Sequence, residues 1–198
     1  FLTRLHELDL IHMDATPVYG TMRDYLTIPS LNNDGNLIYK PAMVANNSQV
    51  IARSESPFNR NGGIKVMHGN LGKGIMKVSA LAQENKTITA PARVFDCQND
   101  VHDAFQHGDL NGDFVIVLRF NGPAMNGMPE LHKLMPALGK LMNDGHKVAL
   151  VTAGRLSGAS GKVPAVIHVT PEAKKDGPLA KIQDGDLIEI NGENGHFA

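Results

Sequence analysis

Residues 113–152 read "DFVIVLRFNGPAMNGMPELHKLMPALGKLMNDGHKVALVT", and most of the architecture can be argued from them. The first eight, 113–120, form an almost unbroken apolar run, as in a strand buried on both faces. Leu131, Leu134, Leu138 and Leu141 then recur at steps of three and four, the stripe of an amphipathic helix. Pro129 suits a first turn and Gly145 a last one, which predicts a helix over 129–145. "KVALVT" (147–152) reads as a second buried strand. Strand, helix and strand in this order predict a βαβ unit with parallel strands and a right-handed crossover. Ligands of open α/β sheets bind beyond the carboxyl ends of the strands. The loops emerging there, "NGPAMNGMPE" (121–130) and "AGRLSGASGK" (153–162), are therefore expected side by side.

Upstream, "VIAR", "IKVMHG", "IMKVS" and "ARVFD" are short β-type runs separated by Gly, Asn or Pro, which predict a meander or small barrel. "NDVHDAFQHG" (99–108) reads as a helix closed by Gly108. Nearer the start, Leu2, Leu5 and Leu8 have helical spacing over 1–9, and "TMRDYL" (21–26) reads as a second short helix. "PSLNNDGNLIYKP" (29–41), rich in Asn, Gly and Pro, is expected to be a linker. The organisation expected is thus residues 1–45 as the tail of an amino-terminal domain with its linker, and 46–198 as a second domain. The chain opens inside a helix and stops at "NGENGHFA", so it reads as a piece of a longer polypeptide.

Composition narrows the function. With 198 residues, 42% hydrophobic and 20% charged, the chain is an ordinary globular sequence. A net charge of −1 and no Lys/Arg run argue against a nucleic-acid or membrane surface. No apolar run approaches the roughly 18–20 residues of a membrane span. "FLTRLHELDL" does not read as a signal peptide. A single cysteine, Cys97, excludes an internal disulfide or a cysteine-rich metal site and suits a reducing cytoplasm. It is expected to be a small buried or half-buried residue.

The loop at 153–162 fails the common motifs. A Walker loop needs Gly where Leu156 stands and Ser or Thr where Val163 stands. A nucleophile elbow needs Gly at Arg155 for Ser157, or at Lys162 for Ser160. What remains is either an anion site made of backbone N–H groups, Arg155 and Lys162, or a plain glycine-rich connection. Nine histidines show no metal-ligand spacing with a third partner, and His168 sits in what reads as an alternating strand.

Three longer stretches carry a resemblance. "VTAGRLSGASGKVPAVIHVTPEA", "NGMPELHKLMPALG" and "PFNRNGGIKVMHGNLGKGIMKVSA" resemble the carboxyl-terminal half of the 6-phosphogluconate branch of the family shared with dihydroxy-acid dehydratase. The resemblance runs nearly end to end. It implies a swivelling β-barrel-like β/β/α domain with flanking helices and one βαβ unit, preceded by the tail of an α/β domain. It further implies a cytoplasmic, homodimeric hydro-lyase with an iron–sulfur cluster and Mg²⁺. The substrate would be a small phosphorylated sugar acid, 6-phosphogluconate, converted to 2-keto-3-deoxy-6-phosphogluconate in the Entner–Doudoroff pathway. Cluster ligands would belong to a missing amino-terminal domain, and the active site would lie between the domains. With one cysteine this chain is not expected to assemble the cluster, or to be active, on its own.

Dehydration of a 2,3-dihydroxy acid needs a base for the C2 proton, a Lewis acid for the departing hydroxide and a cation for the carboxylate. On the resemblance, Glu130 in "GMPE" matches a magnesium-ligating glutamate, and Ser157 matches the general base. Arg155 and Lys162 are candidates for substrate anions, with Ser160 adding a hydroxyl donor. The family usually has Asp where this chain has Ala153, and a carboxylate there would cap the loop or orient Arg155. Two other readings stay open: a dehydratase for another sugar acid or dihydroxy acid, and a stand-alone barrel that binds an anion.

Overall fold

The computed structural model describes residues 1–43, 47–59, 61–157 and 161–198, with Lys175 described by its backbone. The chain divides into two compact units, Phe1–Arg60 and Asn61–Ala198.

The first unit holds helix α1 (Leu2–Glu7) and an antiparallel pair, β1 (Thr27–Leu31) and β2 (Leu37–Pro41). The segment expected to be a linker is thus a hairpin. Asn32 closes its turn, its side-chain oxygen accepting the N–H groups of Asp34 and Asn36. The residues flanking that turn, "TIPSL" and "LIYKP", supply enough β-formers to pair in spite of Pro29 and Pro41. The predicted helix at 21–26 shrinks to one 3₁₀ turn, Asp24–Leu26. Its Asp24 carboxyl lies below its ordinary pKa because the backbone N–H and then the hydroxyl of Thr21 donate to it. "VIAR" forms no strand; Arg53 makes only an isolated bridge to Ser56.

The second unit is a closed barrel of eight strands: β3 (Ile64–Gly69), β4 (Gly72–Lys77), β5 (Thr87–Phe95), β6 (Phe114–Leu118), β7 (Val148–Thr152), β8 (Ala165–Thr170), β9 (Leu187–Asn191) and β10 (His196–Phe197). Around the barrel the order is β10-β3-β4-β8-β7-β6-β5-β9, and β9 pairs with β10 to close it. Helix α2 (Gln98–His107) joins β5 to β6, whose pairing is parallel. The turn α3 (Pro123–Asn126) and helix α4 (Met135–Asn143) lie between β6 and β7, also parallel. Two βαβ units therefore stand where the sequence suggested one. The first was hidden because β5 begins at Thr87, well before "ARVFD".

The apolar run of β6 is explained by two cores. Val115 and Val117 point into the barrel with Met67, Met76, Ala149 and Val151. Phe114, Ile116 and Leu118 alternate to the outside, where Leu131, Leu134, Leu138 and Leu141 cover them. Each buried leucine of that cover contributes about 2–5 kcal/mol against truncation to alanine.

The predicted helix start is the main revision. Pro129 is not its first residue: a 3₁₀ turn spans His132–Leu134, and α4 begins at Met135 with Pro136 in its first turn. Glu130 stays extended and makes a parallel bridge to Arg155. Cys97 is also corrected. It is exposed at the entry to α2, because the chain turns outward there from the barrel wall.

Candidate active site

The carboxyl ends of β6, β7 and β8 gather the polar residues. The loop after β6 begins with Asn121, 2% exposed, whose amide donates to the Arg119 carbonyl at 2.6 Å and whose oxygen accepts from Asn126 at 3.1 Å. Glu172, just past β8, reaches under the same loop and accepts the Ala124 N–H at 3.0 Å. Lys174 donates to the Ala124 carbonyl at 2.7 Å, so both backbone groups of Ala124 are held from the β8 side. Glycine at 122 leaves room for this contact, since a Cβ there would stand 2.2 Å from Glu172 Oε2 and force that side chain to shift. Glu172 is buried, and among the described residues that oxygen has no hydrogen-bond partner.

The same loop ends on Glu130, where the chain from β7 meets it. Leu131 N–H donates to the Arg155 carbonyl at 3.1 Å, and Arg155 Nε donates to the Met128 carbonyl at 2.9 Å. Gly154 makes the close approach possible, because a Cβ on it would come within 2.6 Å of Leu131 Cδ1. The Glu130 carboxylate is thereby aimed at the turn beyond Arg155. Oε1 accepts the Ser157 N–H at 2.8 Å, and Oε2 lies 3.3 Å from the Arg155 guanidinium. A half-exposed ion pair of this kind adds at most about 1 kcal/mol of stability. Its effect is directional: it fixes which way the carboxylate faces.

Glu130, Arg155 and Ser157 therefore share one rim, as the parallel connection requires. Lys162 does not join them. It donates to the Asn143 side chain at the carboxyl end of α4, and nine residues of helix rise roughly 13 Å. Ser160 lies outside the described residues. Ala153 is 1% exposed. An aspartate is not needed to orient Arg155, which Glu130 and the Met128 carbonyl already hold.

Sequence reasoning missed Lys77, His168 and Glu172. Lys77 and His168 line a cavity of about 180 Å³ together with Ser157. His168 has φ +55 and sits where the β4–β8 ladder slips by one residue. The extra residue of that bulge breaks the alternation that would have turned it inward. Glu172 gave no signal in "HVTPEA", because its partner, Ala124, lies forty-eight positions away.

A family model described as "Dihydroxy-acid/6-phosphogluconate dehydratase C-terminal" matches residues 49–198. The chain belongs to this dehydratase family. It is 52% identical over 189 residues to phosphogluconate dehydratase of Escherichia coli K12, covering 95% of this chain and 31% of that protein. It is 46% identical over 195 residues to phosphogluconate dehydratase of Zymomonas mobilis, covering 98% of this chain and 32% of the relative. Dihydroxy-acid dehydratase of Methanosarcina barkeri is more distant, at 36% over 185 residues, covering 91% of this chain and 31% of the relative. The chain thus spans about a third of the length of the curated dehydratases it matches.

The donor chemistry fits Mg²⁺ in part. Each Glu130 oxygen retains a lone pair beyond its present contact, and a carboxylate is a suitable hard ligand. No three His, Cys, Asp or Glu side chains converge among the described residues, so Glu130 would be one ligand of a set completed elsewhere. An iron–sulfur cluster does not fit this chain, whose one cysteine stands exposed at the start of α2. Among the described residues no helix is long and apolar enough to cross a membrane.

Proposed function

We propose that this chain is the carboxyl-terminal part of a cytoplasmic, homodimeric hydro-lyase that dehydrates 6-phosphogluconate to 2-keto-3-deoxy-6-phosphogluconate. Its iron–sulfur cluster is supplied by the amino-terminal domain, and the fragment alone is inactive. The observation that carries the reading is the Glu130 carboxylate bonded to the Ser157 backbone across two strand exits, in a chain about half identical to phosphogluconate dehydratases.

In this reading Ser157 Oγ takes the C2 proton of the substrate. An ordinary serine hydroxyl is far too weak an acid to be ionised at neutral pH, so positive charge or N–H groups must hold its alkoxide. Glu130 would hold Mg²⁺, which when bound supplies charge stabilisation for a substrate carboxylate becoming an enolate. Arg155 keeps the Glu130 carboxylate turned toward Ser157, its Nε donating to the Met128 carbonyl and its Nη1 beside Glu130. Lys162, bonded to Asn143, is given no substrate contact.

The test is the full-length protein, purified without oxygen and assayed with 6-phosphogluconate, gluconate and a dihydroxy acid. Brown protein that turns over 6-phosphogluconate fastest and loses activity in air agrees with the proposal. Fast turnover of an unphosphorylated acid moves the substrate, and colourless protein without dehydratase activity refutes the reading.

A further inference from the structure

The first unit, Phe1–Arg60, differs from the barrel in lacking a core: among its described residues not one is buried. Its hairpin shows where the missing cover belongs. Successive side chains of a strand point to opposite faces of the sheet. The register therefore puts Pro29 and Tyr39 on one face with Leu31 and Leu37, and Ile28 and Lys40 on the other. On the first face Leu31 is 67% exposed, Leu37 59% and Tyr39 66%. A two-stranded hairpin that buries neither face is marginal in water, and an apolar patch of this kind marks a contact surface.

The same face runs into an open cleft of about 750 Å³ lined by Tyr19, Gly20, Asp24, Tyr25, Thr27 and Tyr39. Thr27 and Tyr39 belong to the hairpin face just described. The cleft gathers all three tyrosines of the chain. Gly20, with φ +60, lets the backbone close on Asp24, since a Cβ there would stand 2.5 Å from its Oδ2. The Thr21 backbone N–H and hydroxyl donate to that oxygen at 2.7 and 2.9 Å. These bonds hold the Asp24 carboxyl below its ordinary range, so it is ionised at neutral pH. The cleft thus offers three aromatic rings and a carboxylate, and no cation is among the residues that line it. Rings beside a carboxylate attract a guanidinium or an ammonium.

We propose that this face is where the amino-terminal part of the full-length protein docks, seating an arginine or lysine among Tyr19, Tyr25, Tyr39 and Asp24. The inference rests on the reading of the chain as the carboxyl-terminal part of a longer dehydratase. The match to the family's C-terminal model begins at residue 49, so the hairpin lies before it. The relatives nonetheless match 95–98% of this chain with only 31–32% of their own length, leaving the larger part of each outside the match. A second copy fits the face less well. A two-fold pair would set the same patch against itself, carboxylate toward carboxylate, with Lys40 on the opposite face.

The experiment puts photoreactive benzoylphenylalanine in place of Tyr39, and separately of Leu37, in the full-length protein. Irradiation, digestion and mass spectrometry then identify the cross-linked segment. From both positions the expected cross-links fall on residues that precede Phe1, within a few positions of an arginine or lysine. Cross-links to residues 1–198 of the same or a second copy, to a segment without a cation, or to nothing overturn the proposal. Replacing the cation so found with glutamine, and Asp24→Asn, should each lower the melting temperature by about 2–4 °C. The double variant should fall by less than the sum, because the two groups form one contact; falls that add in full refute it. Neither readout uses turnover. A protein that dehydrates no sugar acid would therefore fail the dehydratase reading while the cross-links still decide this one.

Discussion

The two ends of the parallel strands β6 and β7 share a sheet and a core, yet they differ in what they hold. At the amino ends, Asp113 caps the Lys147 N–H at 2.7 Å and Lys162 meets Asn143, contacts that join neighbouring segments. At the carboxyl ends, Glu172, Arg155 and Glu130 bind the backbone of loops other than their own. There the Glu130 carboxylate holds the backbone of residue 157, and Arg155 holds the Glu130 carboxylate, so three residues of two loops are fixed together. The difference shows why fold and chemistry are separable. The barrel is held by burial at both ends, and segments are tied by polar contacts at both, whereas the carboxyl ends bring Glu130, Arg155 and Ser157 together.

Breaking that difference should have unequal costs. The largest effect is expected from Gly122→Ala, whose Cβ would collide with Glu172 and shift the loop that carries Glu130. A displacement near 1 Å at a reacting group costs about 100-fold, so kcat/KM of the full-length enzyme should fall by about that factor. The double variant with Glu172→Ala should lose less than the product of the two single losses, since the collision and the clamp are one contact. Arg155→Gln should reduce turnover by roughly tenfold, as expected for loss of one charge-assisted contact. Its KM for substrate should barely move, because the residue acts through Glu130. The smallest effect is expected at the other end of the strands, where Lys162→Gln should leave kcat and KM within about twofold of wild type, as for most surface substitutions.

Much of this could be read from the residues. The unbroken apolar run at 113–120 and the leucine stripe of 131–141 demanded a buried strand under a helix, and two parallel exits followed. That topology puts Glu130 and Ser157 on neighbouring strand exits. Local composition misled at 29–41, where Asn and Gly mark a hairpin turn instead of a linker. It misled again at Pro129, where tertiary pairing with Arg155 keeps Glu130 extended. His168 and Glu172 were not legible at all. One depends on a bulge set by β4, and the other on a partner across the rim, and neither leaves a periodic trace.

The central claim is tested most directly by single-turnover kinetics of full-length Ser157→Ala beside Mn²⁺ binding followed by electron paramagnetic resonance. A general base contributes about 10²- to 10⁴-fold, so the chemical step should slow by that amount. Mn²⁺ affinity should stay close to wild type, because Glu130 accepts from the backbone of residue 157 and not from its hydroxyl. A chemical step within a fewfold of wild type would contradict the account.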